Sequence, residues 1–289
     1  MTDNKSAVRI EDYGEYETAW CPGCGNFAIL KAVKQALVNL NLRPQNVLFV
    51  SGIGQAAKAP HYLNVNVFNG LHGRALPVAT GARLANPELT VIVESGDGCT
   101  YGEGGNHFLA AIRRNINIAV LVHNNQVYGL TKGQASPTSD RGFATKAQPR
   151  GALAAPFNPV AVAIAMRAGF VARSFSGLPG HLTDVIQQAV LHPGFALVDI
   201  LQPCVSFNKV NTYKWYSDRC KQLPDGYNPE NWDTAIKTSM EWGDQIPVGI
   251  LYRNNFPSFE SHFAPGRRNS AELSAAERQK LAEIMLSYG

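Results

Sequence analysis

Three stretches of this chain share one design. VLFVSGIG (47–54), TVIVESGDG (90–98) and IAVLVHNN (118–125) are each a run of Val, Ile, Leu and Phe that ends in a glycine or asparagine turn. FVARSF (170–175) and ALVDILQPC (196–204) are further apolar runs. Between them lie segments with helical spacing, at 25–40, roughly 103–115, 158–168 and 180–191. Strands this uniformly apolar must be buried on both faces. Strands that alternate with helices predict a doubly wound, mostly parallel α/β sheet. Such sheets bind ligands at the carboxyl ends of their strands, which is where the glycine and asparagine clusters fall.

Composition narrows the function classes. A chain of 289 residues suffices for one large α/β domain or two modest ones. The net charge of +4 is too small to argue for nucleic acid. The charged fraction of 17% is low and leaves surface for partner subunits. No apolar run approaches the roughly 20 residues of a membrane span. The opening MTDNKSAVRIEDYGEYE is polar and acidic, unlike a signal peptide, so a cytoplasmic protein is expected. In a reducing compartment the five cysteines (Cys21, Cys24, Cys99, Cys204 and Cys220) are thiols or metal ligands rather than disulfides. Beyond residue 205 the chain becomes rich in Asn, Tyr, Pro and Lys. The expectation is a domain at 1–205 and an irregular, extended segment at 206–289 lying on the domain and on a partner. A capping box, Ser274 with Glu277, opens a last short helix ending near Tyr288.

Two of the turns belong together. GDG (96–98) and NN (124–125) close neighbouring apolar runs, with 25 residues between Gly98 and Asn124. The Asp97 carboxylate, the Asn125 amide oxygen and a main-chain carbonyl near Val127 can reach one small hard cation. Waters and phosphate oxygens usually complete an Mg²⁺ shell of this kind. Gly54, Gly96 and Gly98 let the main chain approach a diphosphate, with Cys99 and Tyr128 beside it. Taken singly, GDG and NN are ordinary turn sequences. WCPGCGN (20–26) is equally open on its own: a redox dithiol, half of a zinc site or half of an iron–sulfur site.

The paired turns resemble the thiamine-diphosphate motif, GDG followed after 25 to 30 residues by NN. The surrounding WCPGCG, SGIG followed by Lys58, NGLHGRALPVATG (69–81), GGNHFLAAIRRN (104–115), NNQVYGLTKGQASPTS (124–139) and PFNPVAVA (156–163) are similar to the β subunit of 2-oxoacid:ferredoxin oxidoreductases. The 2-oxoglutarate type is the nearest in likeness, over about residues 15 to 210. The resemblance implies a sheet of the diphosphate-gripping (PP-domain) type, an α subunit that completes the thiamine site, and a β chain inactive alone. It implies a CoA-dependent oxidative decarboxylation in which thiamine diphosphate supplies the carbanion chemistry and a [4Fe–4S] cluster passes electrons to ferredoxin. Reduced ferredoxin can drive the reverse reaction and fix CO₂.

The resemblance also implies ligands. Cys21, Cys24 and Cys204 match three cluster thiolates, but the family's remaining cysteine, directly after SGIG, is here Gln55. Cys99, at the tip of the adjacent strand, is the expected substitute, with Cys220 ranked behind it. For the substrate carboxylate the resemblance favours Lys58 and Lys132, with Leu130 lining the pocket and His72 and Arg74 as further candidates. His107 is expected to pack the start of its helix, and the other histidines carry no functional reading. Two rival readings stand beside this one. One is a thiamine-diphosphate decarboxylase or synthase subunit without a cluster. The other is a non-catalytic metal- or nucleotide-binding α/β subunit.

Overall fold

A computed structural model describes residues 7–262 and 274–287. In chain order the elements are α1 (Asn26–Asn39), β1 (Val47–Ser51), β2 (Asn66–Asn69), α2 (Ala75–Ala85), β3 (Thr90–Gly96), α3 (Gly105–Arg114), β4 (Ile118–Asn124), β5 (Val127–Tyr128), β6 (Gln134–Ala135), α4 (Pro159–Ala165), β7 (Phe170–Phe175), α5 (Pro179–Leu191), β8 (Phe195–Leu201), α6 (Tyr213–Arg219), β9 (Cys220–Gln222), α7 (Trp232–Ser239), β10 (Ile246–Arg253) and α8 (Ala275–Leu286). All five apolar runs are strands of one eight-stranded sheet, ordered β2-β1-β3-β4-β8-β7-β10-β9. Strands β2, β1, β3, β4, β8 and β7 pair in parallel. β10 runs antiparallel to β7. β5 and β6 form a separate small hairpin just past β4.

The sheet is covered on both faces, which explains the uninterrupted apolar strands. On one face Ile29, Val33 and Leu37 of α1 and Leu182 and Ile186 of α5 pack on Phe49, Ile92, Leu121 and Val198. On the other, Leu76, Phe108, Ile112, Val160 and Ala235 from α2, α3, α4 and α7 pack on Val50, Val93, Val120 and Leu197. Each fully buried aliphatic side chain contributes about 1.5–3 kcal/mol of transfer free energy. This is the doubly wound α/β fold expected from the apolar runs. From β1 the chain crosses to β2 on one side and returns to β3 on the other. The reversal opens a crevice at the carboxyl ends of β1 and β3, where α/β sheets place ligands.

The chain after residue 205 departs from expectation. It is not only an extension over the surface: it adds β10 and β9 to the sheet edge and packs α7 against α4 and β10. IPVGILYR is a strand buried along most of its length, but the polar, weakly periodic residues around it hide it from a pattern reading. α2 was likewise not legible, because Pro77 and Gly81 interrupt a short helix of small residues. Ser274 and Glu277 form the expected reciprocal cap of α8; Tyr288 lies outside the described residues. No helix among the described residues is long and apolar enough to cross a membrane.

Candidate functional site

The crevice is built from three strand tips. After β1 the chain passes through Gly52, Ile53 and Gly54, where Gly54 takes φ +138°, open to glycine and strained for other residues. After β3, Asp97 caps a π-helical turn, Gly98–Glu103. Such turns are rare and frequent at functional sites. A Cβ on Gly98 would overlap the Tyr128 ring, so glycine is what lets β5 close over this turn. After β4, Asn125 Oδ1 accepts from Val127 N at 3.0 Å, an Asx turn that swings the chain into β5. One pocket is lined by Gly54, Gln55, His72, Gly96, Asp97, Gly98, Cys99, Asn125, Val127, Tyr128 and Leu130. The GDG turn, the second Asn of NN and Val127 thus meet, as their spacing predicted.

Asp97 is buried, at 2% exposure. Its Oδ2 accepts hydrogen bonds from Ser136 Oγ and Thr138 Oγ1, both at 2.6 Å. Burial pushes its carboxyl up to about 6; the two hydroxyls and the Gly98 N–H pull the other way, and the Asp199 carboxylate adds to the upward push. Among the described residues no Lys or Arg offsets the cost of burying this charge, and a bound cation would do so. Among the described residues no three His, Cys, Asp or Glu side chains gather about one ion. That suits a hard cation held by one carboxylate, an amide oxygen, a main-chain carbonyl and the ligand's own phosphates. The donor set fits Mg²⁺ and a diphosphate.

Behind Asp97 runs a buried polar chain that the sequence reading missed. Thr138 Oγ1 also lies 2.9 Å from Asn124 Oδ1. Asn124 Nδ2 donates to both Asp199 oxygens at 3.2 Å, and Tyr101 OH donates to Asp199 Oδ1 at 2.9 Å. An aspartate inside ALVDIL was the available signal, since a buried carboxylate needs partners. At the rim, Glu103 holds two pocket residues: His72 Nδ1 lies 3.0 Å from Oε2, and Tyr128 OH donates to Oε2 at 3.2 Å.

The expected substrate cations are less gathered. Lys58 is half-buried in the 3₁₀ turn Ala56–Tyr62, while Lys132 (φ +80°) and Arg74 are exposed. None of the three lines the pocket; His72 and Leu130 do. His107 sits in the first turn of α3.

A second pocket is lined by Trp20, Cys21, Cys24, Asn26, Gln55, Asn125, Gly129, Gln202, Cys204 and Phe207. Three of the four expected cluster thiols therefore converge from the loop before α1 and the end of β8. Burial pushes the Cys24 thiol up to about 11, and the neighbouring Cys204 and Cys21 add to that. Ser206 Oγ donates to Cys21 Sγ at 3.1 Å. Cys99 does not join them, which corrects the expectation. The β1 and β3 tips are neighbours as supposed, but Cys99, in the π-helical turn, lines the diphosphate pocket and not the one that holds the other three. It accepts from Gly73 N at 3.2 Å, and a Cβ on Gly52 would overlap it. Cys220 lies on β9 at the far edge of the sheet.

Residues 46–200 match the thiamine pyrophosphate enzyme C-terminal TPP-binding domain, and residues 204–267 match the C-terminal family of the pyruvate ferredoxin oxidoreductase beta subunit. The 2-oxoacid:ferredoxin oxidoreductase subunit beta of Saccharolobus solfataricus is 46% identical over 282 residues, spanning 93% of this chain and 87% of that protein. The chain belongs to the β subunits of the 2-oxoacid:ferredoxin oxidoreductases. The 2-oxoglutarate synthase subunit KorB of Archaeoglobus fulgidus is 38% identical, over 84% of this chain and 87% of that subunit. A solved 2-oxoglutarate:ferredoxin oxidoreductase from Magnetococcus marinus, with 2-oxoglutarate, coenzyme A and succinyl-CoA bound, superimposes with a TM-score of 0.90. It is 33% identical, over 98% of this chain and 97% of the matched one. The GDG–NN pocket accordingly belongs to a thiamine-diphosphate-binding domain. As a β subunit of this family, the chain works with an α subunit.

Proposed function

We propose that this β subunit serves a cytoplasmic enzyme that converts 2-oxoglutarate and coenzyme A reversibly to succinyl-CoA and CO₂, passing electrons through a [4Fe–4S] cluster to ferredoxin. The observation that carries this reading is that the two pockets abut, sharing Gln55, Asn125 and Gly129 as common wall. A diphosphate site next to a thiol-lined pocket suits transfer of single electrons from one to the other. When bound, thiamine diphosphate supplies the carbanion chemistry and the cluster the one-electron steps.

This chain's own residues would do the holding. Asp97, Asn125 and the Val127 carbonyl would take Mg²⁺. Gly54, Gly96 and Gly98 would let the diphosphate approach the main chain, and Cys21, Cys24 and Cys204 would hold irons. Cys21, Cys24 and Cys204 line one pocket, and a cluster would spread them over separate irons. Ile53 and Leu130, both exposed at the pocket mouth, are apolar surface for the α subunit to cover. The 2-oxoglutarate assignment is supported by the similarity to 2-oxoglutarate-type relatives. Lys58, Lys132, His72 and Arg74 remain the candidates for the substrate carboxylates.

The test is co-expression with an α subunit and anaerobic purification. CoA-dependent reduction of ferredoxin with 2-oxoglutarate, at a kcat/KM at least about tenfold above that with pyruvate, is the expected result. Equal or better use of pyruvate would overturn the substrate assignment. A colourless complex that decarboxylates without reducing ferredoxin would favour the cluster-free reading.

A further inference from the structure

The thiol pocket contains three cysteines, not four, and the fourth side of its wall is Gln55. Trp20 Nε1 donates to the Gln55 carbonyl at 2.8 Å, and Gln55 caps the 3₁₀ turn Ala56–Tyr62, so its backbone is fixed. Its side chain lines the pocket with Cys21, Cys24 and Cys204. Its Oε1 is buried and accepts no hydrogen bond among the described residues. A buried amide oxygen left without a donor is destabilising, so such an atom calls for a partner. Gln202, the other carboxamide in the pocket, is tied by its Nε2 to Cys24 Sγ (3.5 Å) and to the Pro203 carbonyl (2.8 Å); Gln55 has no such anchor. The two remaining thiols are spoken for elsewhere: Cys99 faces Gly52 and Gly73, and Cys220 is on β9.

We infer that this pocket is a three-thiolate site. Cys21, Cys24 and Cys204 each hold one iron, and the Gln55 carboxamide oxygen faces the remaining iron. The inference rests on the proposed reading that the pocket holds a [4Fe–4S] cluster. An iron held by a neutral oxygen instead of a thiolate is the weakest-bound of the set, because soft thiolates are the preferred ligands of such clusters. It should leave first on oxidation. A one-electron oxidant such as ferricyanide would convert [4Fe–4S]²⁺ into [3Fe–4S]⁺ and free Fe²⁺, accepting the electron given up. Because Gln55 also lines the diphosphate pocket, this site-differentiated iron would be the one toward the thiamine site.

The experiment uses the anaerobically purified complex with its α subunit. Iron and acid-labile sulfide are measured first, for wild type and Cys21→Ser. A wild type without iron, or full iron in Cys21→Ser, overturns the underlying cluster reading and the inference with it. With the cluster present, limiting ferricyanide should give the [3Fe–4S]⁺ EPR signal in wild type, reversed by Fe²⁺ and dithionite. Gln55→Cys should suppress that signal at least tenfold. Gln55→Ala should lose its labile iron several-fold faster than wild type and keep the other three. A wild type as resistant as Gln55→Cys, an unchanged rate in Gln55→Ala, or loss of the cluster in Cys99→Ala would each overturn the three-thiolate assignment while leaving the cluster reading intact.

Discussion

Thr138 Oγ1 lies 2.6 Å from Asp97 Oδ2, joining the loop beyond β6 to the carboxylate proposed to hold the metal. Ser136 approaches the same oxygen at the same distance. Two hydroxyls on one oxygen orient the carboxylate and leave its other oxygen for a ligand. Groups that orient a metal ligand in this way are typically worth 10–100-fold in affinity. Thr138→Val should therefore weaken Mg²⁺-dependent thiamine-diphosphate binding by about tenfold or more, and Thr138→Ser should restore most of it. Calorimetric titration of the complex decides; equal affinity in Thr138→Val would remove Thr138 from this role.

Asp97→Asn separates binding from folding. Burial holds the carboxyl at about 6, so at neutral pH the fold carries an ion it would be more stable without. The amide keeps the shape and can still accept from Ser136 and Thr138. Thermal unfolding of the cofactor-free complex should occur at or above the wild-type temperature. Thiamine-diphosphate binding should fall by roughly two decades or more, given about 1.5–3 kcal/mol for one charge-assisted contact and a metal lost with it. Normal cofactor retention would sink the metal assignment.

Gly98→Ala tests the close approach of β5. The added methyl would collide with the Tyr128 ring, and overpacking of this kind costs about 1–3 kcal/mol. Cofactor affinity should drop, and adding Tyr128→Ala should recover part of it by removing the obstacle. If the double variant binds no better than Gly98→Ala alone, the collision is not the cause.

Lys58 and Lys132 offer a test of substrate charge. If either reads a carboxylate of 2-oxoglutarate, its replacement by Met should raise KM for 2-oxoglutarate about one to two decades, corresponding to one charge-assisted hydrogen bond. Activity with pyruvate should change less if the carboxylate read is the distal one. An unchanged ratio of the two activities in both variants would place specificity elsewhere.

His192 predicts an acid-side loss of stability. Burial, with Arg253 nearby, holds its imidazole down to about 4, against 6.5 for an exposed one. As pH falls the unfolded chain takes up the proton first, so this residue's contribution is complete above about 6.5 and is lost progressively between about 6.5 and 4. Asp97 acts with the opposite sign in part of this window, because its folded value is raised. The informative quantity is therefore the difference between wild type and His192→Phe. Chemical denaturation should show that difference shifting against wild type between pH 7 and pH 5; a constant difference would exclude the effect.

Much of this protein was determined by sequence alone. Five apolar runs became five adjacent strands, because continuous Val, Ile and Leu can be satisfied only where both faces of a sheet are covered. GDG and the second Asn of NN met in one pocket, because parallel strands bring their carboxyl ends to the same edge. Those are local patterns with one global solution. Tertiary structure decided the rest. β10 was invisible because its register on β7 comes from a partner nearly 80 residues away, not from its polar neighbours. The chain Asp97–Thr138–Asn124–Asp199–Tyr101 joins four separate segments that no spacing rule connects. Cys99 and Gln55 show the difference most sharply. Both sit at neighbouring strand tips, so sequence could place their backbones side by side. Gln55 lines the pocket of the other three thiols and Cys99 does not; a π-helical turn holds Cys99 and a Trp20 bond to the main chain holds Gln55, and those contacts are made only by packing in three dimensions.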